Sequence, residues 1–288
     1  MTLQQAIQSA AERFAADPHL RDAARRDAEM LLMHTALLNK AELLAHPARE
    51  LTANQSAAFE AAVSRRLRLE PIQYITGQQE FYGLALAVTP DVLIPRPETE
   101  HLVEAMLDRL SKNRVLAIAD IGTGSGAIAI ALASQLFQAE VTAIDLSPAA
   151  LAVAQANAHT HHLDGRIHFL LSDLLEALPP SQRTGYFDAI ASNPPYVPSG
   201  DSTLLHPQVR EHEPASALYA GADGLDIYRR LIPQAEQALK PGGLLALEIG
   251  HGQREALAGL LAPWTDVRFI DDLQGIPRVA LAQRKVLY

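Results

Sequence analysis

The 288-residue sequence contains no cysteine, which excludes disulfide bonds and thiolate metal sites. It has no apolar run that approaches the roughly 18 residues of a membrane span. Its first residues also lack the basic and then apolar segments of a secretory signal. These absences predict a cytoplasmic protein with no membrane partner.

An excess of positive charge is also missing, since the net charge at pH 7 is −9. Residues 1–70 hold nine Lys or Arg and nine Asp or Glu, so the whole negative excess lies in residues 71–288. Nucleic-acid-binding surfaces normally carry a basic stripe, because phosphate contacts supply much of the affinity. We therefore expect no direct nucleic-acid partner, and we expect a monomer.

The first 70 residues predict a small all-helical domain. Apolar residues recur at helical spacing in the segments 2–16, 22–38, about 40–45 and about 52–69. Thr52 with Gln55 three residues later fits a capping box at the start of the last helix. From Tyr74 to Val88 the composition is that of strands with glycines at turn positions, which predicts a β-hairpin linker over 71–90.

Strand and helix patterns alternate through the remaining domain, 91–288. Strands are predicted at 115–121, 140–144, 167–171, 187–191, 244–249, 266–270 and 278–282. Helices are predicted from Pro97 onward and at 127–137, 148–159, 227–239 and 253–262. Alternation of this kind predicts an α/β fold, with a mostly parallel sheet covered by helices on both faces.

A glycine-rich turn follows the first of these strands. Its spacing is G-x-G-x-G rather than G-x-G-x-x-G, which argues against a dinucleotide pyrophosphate held on a helix N-terminus. Glycines let the backbone approach a ligand without a β-carbon in the way, although a purely structural turn is the alternative. The predicted cofactor-binding residues in this turn are Asp120, Gly122, Thr123, Gly124, Ser125 and Gly126.

Two further acids follow strand ends that share an edge of the predicted sheet. Asp145 ends the second strand, where a carboxylate can accept both ribose hydroxyls of a nucleoside; the alternative is a helix N-cap. Asp173, after the third strand, could accept from an adenine amine with Leu174 against the ring, or could be a solvated acid. These strand ends predict a pocket that binds a nucleoside but has no phosphate-binding site. S-adenosylmethionine is a cofactor that fits such a pocket.

The fourth strand ends in a stiff turn of Asn193, Pro194, Pro195 and Tyr196. Proline cannot donate to a sheet ladder, so the strand stops here. An amide nitrogen is a poor nucleophile, and acceptors on its two N–H groups would fix its plane beside a methyl donor. We predict these acceptors to be the Asn193 side-chain oxygen and the Pro194 carbonyl, with Tyr196 stacked on the planar group. The alternative is a turn that merely ends a strand.

These motifs together resemble the class I S-adenosylmethionine-dependent methyltransferases that act on planar nitrogens. Other segments are similar to the peptide-chain release factor glutamine N5-methyltransferases: Phe81–Gly83, Ile94–Glu100, Arg210 with Glu213-Pro214, and Asp272-Leu273 with Gly275 and Arg278. The resemblance implies a Rossmann-like seven-stranded sheet whose last strands are antiparallel. It also implies that the substrate is the glutamine of the Gly-Gly-Gln motif in class I release factors. The N-terminal helices are then expected to contact the release factor.

The same resemblance implies that Ile94, Pro95, Arg96 and Pro97 help to wall the substrate site. Arg96 could instead pair with Glu98 or Glu100. Glu248 ends the fifth strand near the cleft, and we expect it to be structural. The histidines at 159, 161 and 162 suggest a solvated helix end, so we predict no metal site.

Two other functions are alternatives to methylation of a protein glutamine. A DNA adenine-N6 methyltransferase would use the same turn for an exocyclic amine, but it needs a basic groove and a target-recognition segment, and the sequence shows neither. A non-catalytic methyltransferase-like subunit would bind a partner through the helical domain. The intact Asn193 and Gly122–Gly126 argue against that, since an inactive site need not keep its acceptors.

Overall fold

The computed structural model describes residues 1–286, which divide into two compact units. The smaller unit consists of Met1–Gln78 with Thr203–His212, and the larger of Gln79–Ser202 with the chain from Glu213 onward. The last two residues of the predicted domain 91–288 lie outside the described range.

The described residues contain these helices in chain order: α1 (Leu3–Ala15), α2 (Ala24–Ala36), α3 (Lys40–Ala45), α4 (Ala53–Arg66), α5 (Ile72–Thr76), α6 (Pro97–Arg109), α7 (Ala127–Gln135), α8 (Pro148–Thr160), α9 (Pro207–His212), α10 (Asp226–Ala238) and α11 (Arg254–Leu260). The strands are β1 (Gln78–Phe81), β2 (Leu84–Ala87), β3 (Leu116–Ile121), β4 (Ala139–Asp145), β5 (Ile167–Leu171), β6 (Phe187–Ser192), β7 (Leu239–Glu248), β8 (Thr265–Asp271) and β9 (Pro277–Gln283). The helices and strands predicted from the alternating patterns are confirmed, with ends shifted by a few residues.

The smaller unit is a helical bundle whose apolar faces meet in one core. The predicted capping box is confirmed, because the Thr52 side chain accepts from the Gln55 N–H and the Gln55 side chain accepts from the Thr52 N–H. The largest fully buried side chains of this core come from three helices and one loop: Leu3, Phe14, Leu20, Leu31, Leu32 and Phe59. Burial of these side chains, rather than helix propensity alone, stabilises such short helices.

One part of the predicted hairpin is wrong. Ile72–Thr76 is the short helix α5, and the hairpin proper begins at Gln78. Pro71 starts the helix with φ −54°, and Gly77 ends it in the left-handed region at φ +76°. Ile72 and Ile75 are both buried, a spacing of three that suits a helix face better than a strand.

A segment far along the sequence completes the smaller unit. Arg66 donates to the carboxylate of Asp27 at 2.8 Å and also to the side-chain oxygen of Gln208 in α9 at 2.8 Å. Asp27 and Arg66 are 1% and 5% exposed, so this ion pair lies inside the bundle. The buried guanidinium therefore joins α9 to the helices of the first 66 residues.

The larger unit is built on one seven-stranded sheet within the described residues, in the order β5-β4-β3-β6-β7-β9-β8. The strands from β5 to β7 in this order pair in parallel, whereas β9 is antiparallel to both β7 and β8. The predicted Rossmann-like α/β sheet with antiparallel last strands is confirmed.

Helices cover both faces of this sheet, so its strands are apolar on both sides. Ile118 of β3 packs into a core shared with α6 and α7, whereas Ala119 and Ile121 face a second core shared with α10 and α11. The β1–β2 hairpin belongs to this unit as well. Asn157 of α8 binds it through the backbone N–H and carbonyl of Ala87, at 2.7 and 2.9 Å.

The strand order reverses at β3, which has β4 on one side and β6 on the other. Open α/β sheets bind ligands at such a point, beyond the carboxyl ends of the strands. Among residues 1–286, no helix is both long and apolar enough to cross a bilayer.

Candidate active site

A cavity of about 290 Å³ opens where β3, β4, β5 and β6 end, close to the roughly 300–1,000 Å³ of typical small-molecule sites. The predicted residues that line it are Pro95, Gly122, Thr123, Gly124, Ser125, Asp145, Asp173, Leu174, Asn193, Pro194 and Pro195. The predicted residues outside its wall are Ile94, Arg96, Pro97, Asp120, Gly126 and Tyr196. Four separate strand ends thus bring most of the predicted residues to one place.

The glycine-rich turn is held against the end of β4 by its backbone amides. The N–H groups of Gly122 and Thr123 both donate to the carbonyl of Ile144, at 2.8 and 2.9 Å. The N–H of Gly124 donates to Asp145 Oδ2 at 2.9 Å. Gly122 and Gly124 have φ values of +71° and +56°, which favour glycine.

Gly126 has a different role from the other glycines of the turn. A β-carbon on it would lie 3.0 Å from the Ile130 side chain and 3.2 Å from Ala154 Cβ. Its φ of +84° also lies in the left-handed region. Gly126 therefore allows α7 to begin close to α8. Its role is in helix packing, and it does not line the cavity.

Asp120 lies buried behind this turn. Its Oδ2 accepts from Thr123 Oγ1 at 2.7 Å and from the Ala129 N–H at 3.1 Å. None of the described residues donates to its Oδ1. Burial raises the pKa of Asp120 to about 7, although both hydrogen bonds oppose the shift; the charge of Asp145 adds to it.

Asp145 presents its carboxylate to the cavity at the end of β4. Its Oδ1 accepts from the Ser147 N–H and its Oδ2 from the Gly124 N–H, both at 2.9 Å. Each carboxylate oxygen can accept a further hydrogen bond, so capacity is left for a ligand. The N-cap of α8 is Ser147, whose hydroxyl accepts from the Ala150 N–H. Capping is thus done by Ser147 and not by Asp145.

The end of β5, the strand next to β4, brings Asp173 and Leu174 to the cavity. Asp173 Oδ2 accepts from the guanidinium of Arg230 at 2.7 Å, so this acid already has an ionic partner. Leu174 has φ +50°, a left-handed conformation that costs a non-glycine residue about 1 kcal/mol or more. The adenine contacts predicted for these two residues stay predictions.

Asn193 and Pro194 carry the acceptors predicted for an amide substrate. Ser192, just before them, fixes the strand end through a hydrogen bond from its hydroxyl to the Ile121 carbonyl at 2.7 Å. The Asn193 side-chain nitrogen donates to Thr99 Oγ1 at 3.1 Å. Within residues 1–286, no donor reaches the Asn193 side-chain oxygen or the Pro194 carbonyl. Two acceptors at the cavity wall therefore have no protein partner.

Tyr196 is braced from both sides at the end of this turn. Its hydroxyl donates to Glu248 Oε1 at 3.3 Å, and its carbonyl accepts from the Gln253 side chain at 3.0 Å. A β-carbon on Gly224 would lie 2.2 Å from that carbonyl, so glycine is required there. Burial, together with the nearby Glu248, raises the pKa of Tyr196. Its predicted stacking on a substrate stays a prediction.

Thr99 was not among the predicted site residues, and Glu248 was expected to be structural. Thr99 Oγ1 donates to Glu248 Oε2 at 2.6 Å, and the two residues are 4% and 2% exposed. Burial raises the pKa of Glu248 to about 7 against the hydrogen bonds from Thr99 and Tyr196. The one sequence signal for Thr99 is that it lies in the segment Ile94–Glu100, which resembles the release factor glutamine N5-methyltransferases.

The segment before α6 is anchored from a distant part of the chain. Arg96 pairs with Glu213 at 2.5 Å, and the Ile94 N–H donates to the same carboxylate at 3.3 Å. The pairing expected with Glu98 or Glu100 is wrong. Arg96 lies just before α6, and its guanidinium pairs instead with Glu213, whose side chain is wholly buried.

Two family models match this chain. One is described as the PrmC N-terminal domain and matches residues 5–77, and the other as the methyltransferase small domain and matches residues 98–209. Solved structures of methyltransferases are similar in fold to about 70% of this chain. The 16S rRNA N2 G1207 methyltransferase of T. thermophilus aligns with 72% of this chain and 50% of its own, at 22% identity and a TM-score of 0.53. A methyltransferase from Pyrococcus furiosus aligns with 71% of this chain and 90% of its own, at 18% identity and a TM-score of 0.50.

Whole-length relatives are more similar than these structures. A release factor glutamine methyltransferase of Koribacter versatilis is 44% identical over 285 residues, and one of Moorella thermoacetica is 45% identical over 288 residues. Each alignment covers 99% of this chain and 99% of the relative. This chain belongs to the release factor glutamine methyltransferase family.

Proposed function

We propose that this protein transfers a methyl group from S-adenosyl-L-methionine to the side-chain amide nitrogen, N5, of the glutamine in the Gly-Gly-Gln motif of class I peptide-chain release factors. One observation carries this proposal. The Asn193 side-chain oxygen and the Pro194 carbonyl line the cavity, and no donor from residues 1–286 reaches either of them. A primary amide has two N–H donors in one plane, which is what two such acceptors fit.

The cavity residues fit a nucleoside-bearing methyl donor. Asp145 keeps acceptor capacity for two ribose hydroxyls, and the turn at Gly122 and Gly124 has no side chain that would crowd the ligand. Leu174 lines the same cavity and supplies an apolar surface for a flat ring. S-adenosyl-L-methionine, when bound, supplies an electrophilic methyl group on a positively charged sulfur.

The chain's own residues would act mainly by alignment. The Asn193 oxygen and the Pro194 carbonyl accept from the two N–H groups of the substrate amide and hold its nitrogen in line with the methyl carbon. Positive charge develops on that nitrogen as the N–C bond forms and the C–S bond breaks, and both acceptors stabilise it. One amide proton is then lost to solvent. No covalent intermediate with the enzyme is required.

The substrate is argued from the relatives and from charge. Proteins 44% and 45% identical over nearly the full length are named for action on release factor glutamine. The net charge of −9 disfavours bare nucleic acid as the substrate. Because release factors work with translating ribosomes, we place this activity in the cytoplasm. The monomeric state stays a prediction.

A methyl-transfer assay tests the proposal. Purified protein with labelled S-adenosyl-L-methionine is offered a class I release factor, the same factor with its Gly-Gly-Gln glutamine replaced by alanine, and duplex DNA. We expect label in the unmodified factor alone. Label in DNA and none in the factor would overturn the proposal in favour of an adenine methyltransferase, and equal labelling of both factors would overturn the choice of glutamine.

A further inference from the structure

The side-chain amide of Asn193 has two ends of nearly equal size and opposite hydrogen-bonding character. Only its oxygen can accept from a substrate N–H. Rotated by half a turn, Asn193 would present its NH2 group to the substrate's donors and leave them unpaired, which is costly in a shielded site. Something in the protein must therefore select one orientation.

Thr99 is placed to make that selection. A hydroxyl has one hydrogen to donate, and Thr99 Oγ1 gives it to Glu248 Oε2 at 2.6 Å. The same oxygen can then only accept from Asn193, whose nitrogen lies 3.1 Å away. Thr99 and Glu248 are 4% and 2% exposed, which leaves little room for water to replace either partner.

We propose that Thr99 and Glu248 are positioning residues that fix the Asn193 amide with its oxygen toward the cavity. The inference rests on the proposed function, because orientation matters only if a substrate N–H must be accepted. Ionised Glu248 is an acceptor only, so it sets the direction of the whole chain of hydrogen bonds: Asn193 to Thr99, and Thr99 to Glu248.

The other oxygen of the same carboxylate holds the far end of the turn. Glu248 Oε1 accepts from the Tyr196 hydroxyl at 3.3 Å, and the Tyr228 hydroxyl donates to the Glu248 carbonyl at 2.7 Å. Both ends of the Asn193–Tyr196 turn therefore depend on one buried side chain. Burial raises the pKa of this carboxyl, and the hydrogen bonds from Thr99 and Tyr196 oppose the rise. The charge of Glu98 adds to the rise, and that of Arg278 opposes it.

Substitutions at position 99 separate orientation from packing. T99V keeps the shape of the side chain but removes the hydroxyl, T99S keeps the hydroxyl, and T142V removes a buried threonine hydroxyl from β4 as a matched control. We expect T99V to lower kcat for release factor methylation on the order of 100-fold, as loss of alignment does. Its cofactor Kd should stay near that of the wild type, whereas its melting temperature should fall by a few degrees, because the buried Glu248 Oε2 loses its donor. T99S should restore kcat to within about threefold, and T142V should retain it.

A second measurement reads the orientation without any turnover. The side-chain NH2 signals of Asn193, assigned in ¹⁵N-labelled protein by their loss in N193A, report its hydrogen bond to Thr99. We expect one amide hydrogen to be shifted and slow to exchange in the wild type and T99S, and not in T99V. Wild-type protein that shows this signature but methylates no release factor would disprove the proposed function and leave the orientation standing. Wild-type kcat in T99V, or an Asn193 signal that T99V does not change, would overturn the inference.

Discussion

Arg96 and Glu213 form an ion pair although 117 positions separate them in the sequence. The Glu213 side chain is wholly buried, whereas that of Arg96 is 29% exposed. Glu213 also accepts from the Ile94 N–H, so one carboxylate fixes the chain just before α6, the helix that carries Thr99. The pair therefore holds the wall of the site in place from a segment that follows the Asn193–Tyr196 turn.

The first prediction concerns this pair. R96A leaves the buried Glu213 carboxylate without its cation, so we expect the free energy of unfolding to fall by about 3 kcal/mol. R96A/E213Q removes the uncompensated charge and should be more stable than R96A alone. Chemical denaturation of the full-length protein measures both. A double variant no more stable than R96A would show that the buried charge is not the cause of the loss.

The same variants separate a structural role of Arg96 from the substrate contact predicted for it. If Arg96 acts only through Glu213, R96A/E213Q should recover the KM for release factor along with stability. A KM that stays raised in the stable double variant would show direct contact between Arg96 and the substrate.

The second prediction concerns the proposed acceptor. N193A removes the side-chain oxygen at the cavity wall, and we expect kcat to fall on the order of 100-fold or more. The cofactor Kd, measured by calorimetry, should change by less than about threefold, because the ribose contacts proposed for Asp145 are unaffected. N113A replaces an exposed asparagine between α6 and β3 and serves as the control. Unchanged turnover in N193A would refute the alignment mechanism.

The third prediction concerns Asp145. D145A removes the carboxylate proposed to accept the ribose hydroxyls, so we expect the cofactor Kd to rise about 100-fold. D145N keeps one acceptor oxygen and should bind with intermediate affinity. Because Asp145 also accepts from Gly124 and Ser147, melting of the ligand-free variants must be compared with that of the wild type. Tight cofactor binding by a folded D145A protein would remove Asp145 from the site.

Local patterns explain what the sequence predicted well. The capping residues Thr52 and Gln55, the alternating strands and helices, and the glycine spacing after β3 each act within a few residues, so they are visible without the fold. Short apolar runs are ambiguous between helix and strand, and Ile72–Thr76 was misassigned for that reason.

Contacts between distant segments could not be predicted in this way. Thr99 and Glu248 are 149 positions apart, and neither the period of α6 nor that of β7 indicates that they meet. The partner of Arg96 was misassigned to its neighbours Glu98 and Glu100 because only nearby acids are visible in the sequence. Most of the site residues found by motif lie on the cavity wall, but the contacts that orient them, such as that of Thr99 with Glu248, form between segments far apart in the sequence.

The fourth prediction is a fall in stability with rising pH. The pKa of Asp120 is raised by burial from 3.8 to about 7 in the folded state. Between these values the folded protein holds a proton that the unfolded chain has lost, so raising the pH favours unfolding by up to about 1.4 kcal/mol per pH unit. The free energy of unfolding of D120N minus that of the wild type should therefore rise from about pH 4 to about pH 7 and then level off. D108N, which removes an exposed carboxylate from α6, controls for net charge; a flat D120N difference would contradict the prediction.

The fifth prediction gives activity the opposite dependence on pH. Burial raises the pKa of Glu248 to about 7. Protonated Glu248 can donate to Thr99 Oγ1, so the Thr99 hydroxyl no longer has to donate to Glu248. Thr99 can then donate to Asn193 as well as accept from it, and the orientation of the Asn193 amide is no longer fixed. We expect kcat of the wild type to rise as the pH passes through about 7. Over the same pH range its free energy of unfolding is expected to fall. In T99V the rise should be absent, because Glu248 can no longer affect the orientation of Asn193 through Thr99. A T99V profile parallel to that of the wild type would assign the pH dependence to another group.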